Sequence, residues 1–412
     1  MAPLGFLLQL ALTTLSLGAV LPRLQDQEQP TIYDAIIVGG GPSGLGALSG
    51  LARVRRNVLL IDSAEYRNAD TRHMHDVLGF DGVTPAYFRW AAREQISHYE
   101  TVSWRNGTVE TIEPSGDPSS SAPSFTVTSR GLNDTDGTVT SYQARRIILA
   151  TGLRDLLPDT PGVAESWGRG LFWCPWCDGH EHADQPLGLL APLSAVPGLV
   201  REMRTLNRDV VAFVNGTDTA AGRAATTQEE GGSGNWEEYL QLLGVRVDNR
   251  TISAVVRVAD GAEANQDADP SLPSVPEYDG FRVYFTEGEP VERAAFLASF
   301  GKEQRSAVGE RLGVTLYGGR LFANQSASLL TNVPGVWAVG DANTDNSTNV
   351  PHALYSGKRA AVSLHVNLER EDAQKLLAGN ITKREAELDS RSIWEVMNGE
   401  PGDVLYAGEF DQ

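Results

Sequence analysis

Short apolar runs of strand length punctuate the chain: IYDAIIVG (32–39), NVLLID (57–62), RRIILATG (145–152), DVVAFVNG (209–216), FRVYF (281–285) and GVWAVGD (335–341). Runs of this length with strong turn signals around them read as strands, the more continuous ones as buried strands. A glycine turn and the small-residue helix LGALSGLARVRR lie between the first two, which makes a βαβ unit. SFTVTSR (124–130) and TVTSYQARR (138–146) alternate instead, and they flank GLNDTDG as a hairpin would. PSGDPSSSAPS (114–124) reads as a loop or hairpin tip, and 259–280 as an Asp/Pro/Gly-rich loop. From Leu153 to about Ala183 the composition turns to Pro, Gly and Trp, as a crossing between domains would. A second αβ segment follows, with helix WEEYLQLLG (236–244) and strand VRVDNR (245–250), and a long helix, HALYSGKRAAVSLHVNLERE, comes after the last buried strand. No internal repeat is evident beyond the likeness of two nucleotide-type halves.

The N-terminus belongs to none of these elements. LGFLLQLALTTLSLGAV (4–20) is apolar and uncharged, ends in small residues and gives way to polar LPRLQDQEQP. That is the pattern of a secretory signal peptide (1–19) with a linker at 20–30; a short membrane anchor is the alternative. Seven asparagines begin N-x-S/T: Asn106, Asn133, Asn215, Asn249, Asn324, Asn346 and Asn380. Chance would give about two or three, so the excess predicts export and an N-glycosylated surface. With 412 residues, 41% of them hydrophobic, the chain is long enough for two folded domains. Fifty-three acidic against 34 basic side chains leave a net charge of −19, which disfavours nucleic acid or anionic lipid as partners. The two cysteines, Cys174 and Cys177, exclude a disulfide-stapled scaffold and a two-CxxC zinc ribbon.

Two motifs carry chemistry. Gly39-Gly40-Gly41-Pro42-Ser43-Gly44 satisfies G-x-G-x-x-G between a strand and a helix, where glycines let the backbone approach a pyrophosphate at the helix N-terminus. Asp62 follows at the end of the next strand, where a carboxylate can meet a ribose hydroxyl. The second motif is Cys174-Pro175-Trp176-Cys177-Asp178-Gly179-His180-Glu181. Its C-x-x-C lets two sulfurs open and close a disulfide with little backbone movement. A static disulfide, or zinc held by Cys174, Cys177, His180 and His182, stays open as an alternative.

The order of glycine loop, ATG (150–152), C-x-x-C-D-G and a terminal Gly340-Asp341 resembles the low-molecular-weight thioredoxin-reductase family over about residues 31–370. RHMHDVLGFDGVTPAYFRWAARE (72–94) and CPWCDGHE look most like its fungal dithiol and sulfhydryl oxidase branch, the secreted sulfhydryl oxidases above all. The resemblance implies an α/β fold of two Rossmann-like (three-layer ββα) dinucleotide-binding-type domains: 31–157 and 297–395 for FAD, 158–296 bearing the CxxC on a degenerate NADPH-type fold, and a tail at 396–412. It implies FAD contacts at Gly39, Gly41, Pro42, Ser43, Gly44, Asp62, Arg67, His75, Val109, Ala150, Gly152, Gly340, Asp341 and Val350, no metal, and a possible homodimer. It places Cys177 against the flavin, leaves Cys174 for substrate thiols and makes Asp178 the acid/base, with His180 and His352 as further proton-handling candidates. One departure points to the reaction. Where a second glycine loop should bind NADPH, Leu187–Ala195 read LGLLAPLSA, Pro192 withholds an amide, and NGTDTAAGRAATTQ beyond carries only Arg223. The expectation is therefore a secreted thiol oxidase passing electrons from small thiols such as glutathione, through FAD, to O2. An NADPH-dependent disulfide reductase and a dithiol oxidase of a secondary-metabolite pathway are the alternatives.

Overall fold

The structure, a computed structural model, describes residues 31–115, 124–132, 138–262 and 272–378. The expected leader, the 396–412 tail, most of the 114–124 tip and the sequons at Asn133 and Asn380 lie outside these residues.

Strand β1 (Ile32–Val38), helix α1 (Pro42–Ala52) and strand β2 (Val58–Asp62) form the βαβ unit, with Ala35 opposite Val58 and Val38 opposite Ile61 in parallel register. Ile36, Ile37, Leu59 and Leu60 are all buried, because helices cover one face of this sheet and further strands the other. Helix α2 (Pro85–Ile96), capped by the Thr84 hydroxyl accepting from the Tyr87 amide, precedes the long strand β3 (Val102–Ser115). The first residues of β3 pair parallel to β2; the remainder pairs antiparallel with β4 (Ser124–Gly131), which returns into β5 (Val139–Leu149). Strand β5 pairs parallel to β1 and to the strand Val336–Ala338, closing the first sheet. The final helix, Val350–Leu377, lies against α1 at glycine distance. A Cβ on Gly46 would meet the Leu354 carbonyl, and one on Gly357 the Ser43 carbonyl.

The chain leaves this sheet through β6 (Leu153–Leu156) and returns through Gly301–Gln304; the two segments pair antiparallel, Leu156 opposite Gly301. Between them the short helix α3 (Val163–Ser166), strand β7 (Leu171–Phe172) and one-turn helix α4 (Pro175–Asp178) lead to strand β8 (Leu187–Leu190). Helix α5 (Val196–Met203) and strand β9 (Val210–Phe213) complete a second βαβ unit. The second sheet is parallel throughout, in the order 246–248, β9, β8, 295–298, β7. Its strand Ala295–Ala298 continues past the domain boundary expected at 296–297. A three-stranded antiparallel sheet, Ile252–Ala259, Gly280–Phe285 and Val291–Arg293, covers one side.

Candidate active site

Sequence distance is greatest where spatial distance is least. One cavity, of about 1510 Å³ counting its open mouth, runs from the glycine loop to the cysteine pair. Gly39, Gly41, Pro42, Ser43, Asp62, Arg67, His75, Val109, Ala150, Gly152, Cys177, Asp178, Asp341 and Val350 all line it. Gly44, Gly340, Cys174, His180 and His352 do not.

The floor at one end is the start of α1. Gly41 is its N-cap and supplies no side chain to the first-turn amides, which stay available to an anion. Gly39 has φ +110°, and a Cβ there would collide with the Ala150 carbonyl oxygen. Gly44 is packed on the Gly39 carbonyl, so its role is to let helix meet strand. A Cβ on Gly41 would meet no protein atom within 4 Å. It would instead occupy the cavity, in the space a pyrophosphate needs. An uncapped helix start, a cradle that a methyl group would fill and a cavity long enough to continue to Cys177 fit a dinucleotide.

Asp62 sits at the end of β2 as the motif requires, and it is 2% exposed. Its carboxylate accepts from the amides of Gly40 (3.2 Å) and Ala64 (3.1 Å), from the Tyr66 hydroxyl (2.5 Å) and from Arg93. Burial, then this hydrogen bond to Asp62, pushes the Tyr66 phenol up to about 12, so it stays a donor. A ribose hydroxyl would have to displace Tyr66 or Arg93 to reach Asp62. Arg67 holds the cavity's opposite wall, paired with Asp155 (2.8 Å) and Asp341 (3.0 Å), with its guanidinium 5.2 Å from the Trp173 ring centroid. Gly340, at φ +64°, donates its N–H to the Ser356 hydroxyl and so turns Asp341 into the cavity.

At the other end Cys174 and Cys177 form a disulfide across α4. Cys177 faces the cavity and Cys174, the N-cap of that turn, does not, while Trp176 between them is 67% exposed. Asp178 keeps an accessible edge on the cavity, yet protein packs closely around its carboxyl. That packing, reinforced by Glu277 and Glu181 and opposed by Arg72, drives its pKa well above the usual carboxylate range. His180 is exposed outside the cavity, and the His352 ring is bonded to Asp345 (2.7 Å). Neither histidine reaches the disulfide's cavity face.

The zinc alternative is not assembled. Its cysteines are joined in a disulfide, His180 points to solvent, and His182 is buried against Phe172 and Glu277. His182, Glu277 and Asp279 do converge, but Arg72 donates to both carboxylates and supplies the cation there. Sequence reading missed Tyr66, Arg93, Trp173 and Glu277. The first three are ordinary-looking residues close to recognised motifs; Glu277 lies in a loop almost a hundred residues from the cysteines and carries no local signal.

The second sheet has its own crevice at the carboxyl ends of β8 and β9, where open α/β sheets bind ligands. It is lined by Leu190, Ala191, Phe213, Val214, Ile252 and Val255 among others. Pro192 has no amide, the Leu193 amide donates to the Thr217 hydroxyl (3.0 Å), and the Ala195 amide to the Pro192 carbonyl (3.0 Å). Arg223 is committed to Asp218 (2.6 Å) and Glu237 (2.8 Å).

Two nucleotide-type sheets joined by a paired crossover, with a redox disulfide at the end of the first sheet's cavity, define a flavoprotein-like disulfide oxidoreductase fold. Residues 33–200 match the pyridine nucleotide-disulphide oxidoreductase family. A probable thioredoxin reductase of Arthroderma benhamiae is 44% identical over 358 residues, 85% of each chain. Thioredoxin reductase tcpT of Claviceps purpurea is 30% identical, over 79% of this chain and 91% of its own. Among solved structures, an oxidoreductase from Agrobacterium tumefaciens superposes with a TM-score of 0.66 at 25% identity, covering 82% of this chain and 99% of that one. The chain belongs to the thioredoxin-reductase-like family of pyridine nucleotide-disulphide oxidoreductases.

Proposed function

We propose that this disulfide oxidoreductase is an FAD-dependent thiol oxidase that converts small thiols or dithiols, such as glutathione, to disulfides at the expense of O2. The observation that carries the choice of electron acceptor is the second crevice: an apolar wall, amides already bonded within the protein, and an arginine neutralised by two carboxylates. An NADPH 2′-phosphate or pyrophosphate would lose several charge-assisted hydrogen bonds there, each worth roughly 1.5–3 kcal/mol.

FAD would lie with its pyrophosphate on the α1 amides and its reactive end toward Cys177, where it would take up two electrons and pass them to O2 as H2O2. The chain's own residues do the thiol chemistry. A substrate thiolate bonds to Cys174 Sγ, the S–S bond breaks, and Cys177 leaves with the electron pair and takes a proton from Asp178. A second substrate thiol then displaces Cys174, releasing the substrate disulfide and leaving both cysteines reduced. Cys174 suits exchange because it lies outside the cavity, and Cys177 suits electron delivery because it lines it.

Export, N-glycosylation and a homodimer belong to the same proposal. What supports export is the apolar leader with its seven sequons; the five within the described residues, Asn106, Asn215, Asn249, Asn324 and Asn346, are all exposed. Among the described residues no helix is long and apolar enough to cross a membrane. A second reading, an NADPH-dependent reductase or a dithiol oxidase of a secondary-metabolite pathway, is favoured by the fungal relatives called thioredoxin reductases. Oxygen uptake and anaerobic flavin bleaching separate these. Thiol alone should consume O2 with about one peroxide per disulfide formed, and NADPH should leave the flavin oxidised. Rapid anaerobic bleaching by NADPH, with slow reoxidation in air, would make the protein a reductase.

A further inference from the structure

Arg72–His75 and Glu277–Asp279 come from opposite halves of the chain, and they close over the turn that carries Asp178 and Glu181. Arg72 donates to Glu277, to Asp279 (2.8 Å) and to Asp260 (2.7 Å). His73 Nδ1 is 3.6 Å from Glu277 Oε1, and His182 Nε2 is 3.8 Å from Glu277 Oε2. On the other flank His75 Nε2 stands 3.5 Å from Glu181 Oε1, which also accepts from the Ser274 hydroxyl (2.5 Å). The Glu277 amide donates to the Glu181 carbonyl (2.8 Å), so the two acidic residues are tied through the backbone. His73, His75 and Asp178 all line the cavity beside Cys177.

The charges around Asp178 do not balance. Glu277, Glu181 and Arg72 face it. Arg72 is shared among three carboxylates, and Arg257 adds a second guanidinium to Asp260 and Asp279. Two fixed positive charges thus meet five acidic side chains, and a proton on Asp178 relieves part of the excess. Glu277 does not take up that proton itself. Burial works to raise its carboxyl, but His73, Arg72 and His182 outweigh burial and hold it below the ordinary value.

We propose that Glu277 and Glu181 are positioning residues for the disulfide chemistry, whose negative charges keep the Asp178 carboxyl protonated beside Cys177. When an incoming thiolate bonds to Cys174 Sγ and the S–S bond breaks, Cys177 leaves with the electron pair. The Asp178 O–H then gives its proton to that sulfur, and the carboxylate so formed regains a proton from solvent. This rests on the thiol–disulfide exchange of the proposed function and is independent of whether O2 or NADPH stands at the other end.

The test is the pH dependence of reduction of the Cys174–Cys177 disulfide by dithiothreitol in the full-length protein. Reduction is read by alkylation and mass spectrometry, and rates are corrected for the thiolate fraction of the reagent. In the native protein the corrected rate should fall as Asp178 ionises. Glu277→Gln removes the nearer repulsive charge and should move that fall about one pH unit lower, a roughly tenfold slower reaction above it. Glu277→Asp should restore the native profile. Asp260→Asn removes an Arg72 partner that is not among the charges acting on Asp178, and it should leave the profile in place. Should Glu277→Gln not fold, Glu181→Gln must shift the fall in the same direction. A Glu277→Gln or Glu181→Gln profile that superposes on the native one would overturn the proposal, as would an equal shift in Asp260→Asn. A native protein whose disulfide resists dithiothreitol at every pH would instead refute the thiol-exchange reading beneath it.

Discussion

Gly41 has φ −72° and ψ −177°, extended backbone that any residue adopts, and nothing in the protein lies within 4 Å of a Cβ placed on it. Valine at this position should therefore fold. Loss of a glycine N-cap costs at most about 1 kcal/mol, partly offset by the reduced freedom of the unfolded chain. Its side chain would project into the cavity over the amides of α1, in the space assigned to the pyrophosphate. Displacing that group from two amides forfeits two charge-assisted hydrogen bonds, about 3–6 kcal/mol in total, and weakens FAD binding by roughly 10²–10⁴-fold. The assay is the ratio of absorbance at flavin and protein wavelengths after purification, followed by titration of the stripped protein with FAD and a melting curve of both stripped forms. Gly41→Val should purify colourless, with a stripped-form melting temperature close to the native one. Gly39→Ala should differ in kind, because φ +110° and the Ala150 carbonyl make it a folding defect. Native flavin affinity in Gly41→Val would refute the assignment of this loop to the pyrophosphate.

Other outcomes follow from the same geometry. Cys177→Ser should keep its flavin yet show no bleaching by excess thiol, since the cavity-facing sulfur is gone; Cys174→Ser should also lose turnover while retaining a thiol on the cavity side, visible as a long-wavelength flavin band at alkaline pH. Normal oxygen uptake in both variants would sink the disulfide mechanism. Asp178→Asn should slow disulfide reduction yet raise the melting temperature at alkaline pH. The reasoning on sign is that a carboxyl raised in the folded state favours folding least once pH exceeds that raised value, so removing it helps there; an unchanged or lowered melting temperature at pH 9 would contradict it. Glu371 behaves oppositely: burial works to raise it, but Lys375, Arg146 and Arg145 pull it down to about 2. Its contribution, about 1 kcal/mol after solvent screening, is full above its ordinary value and lost as pH falls from there through about 2. Glu371→Gln should thus melt lower than the native protein at pH 7 and coincide with it near pH 2.

The local grammar of the chain was enough for the βαβ unit, the glycine turn and the redox motif. Each depends on contacts within a few residues: apolar runs that need two covered faces, glycines that need space or positive φ, and two sulfurs one helical turn apart. The defective second crevice was legible for the same reason, since Pro192 lacks an amide wherever the chain goes. Long-range convergence was not legible. That Asp62 is already saturated by Tyr66 and Arg93, that His180 faces solvent while His182 is buried, and that Cys177 rather than Cys174 looks into the cavity are outcomes of packing. The crossover pairing of 153–156 with 301–304 joins segments whose short polar-apolar mixtures give no strand signal alone. Glu277 shows the limit most plainly. Nothing in SVPEYDG marks a catalytic neighbourhood, and only the folding of one half of the chain onto the other sets its charge against Asp178, because electrostatic coupling depends on distance in space and on exclusion of water, neither of which is written in sequence order.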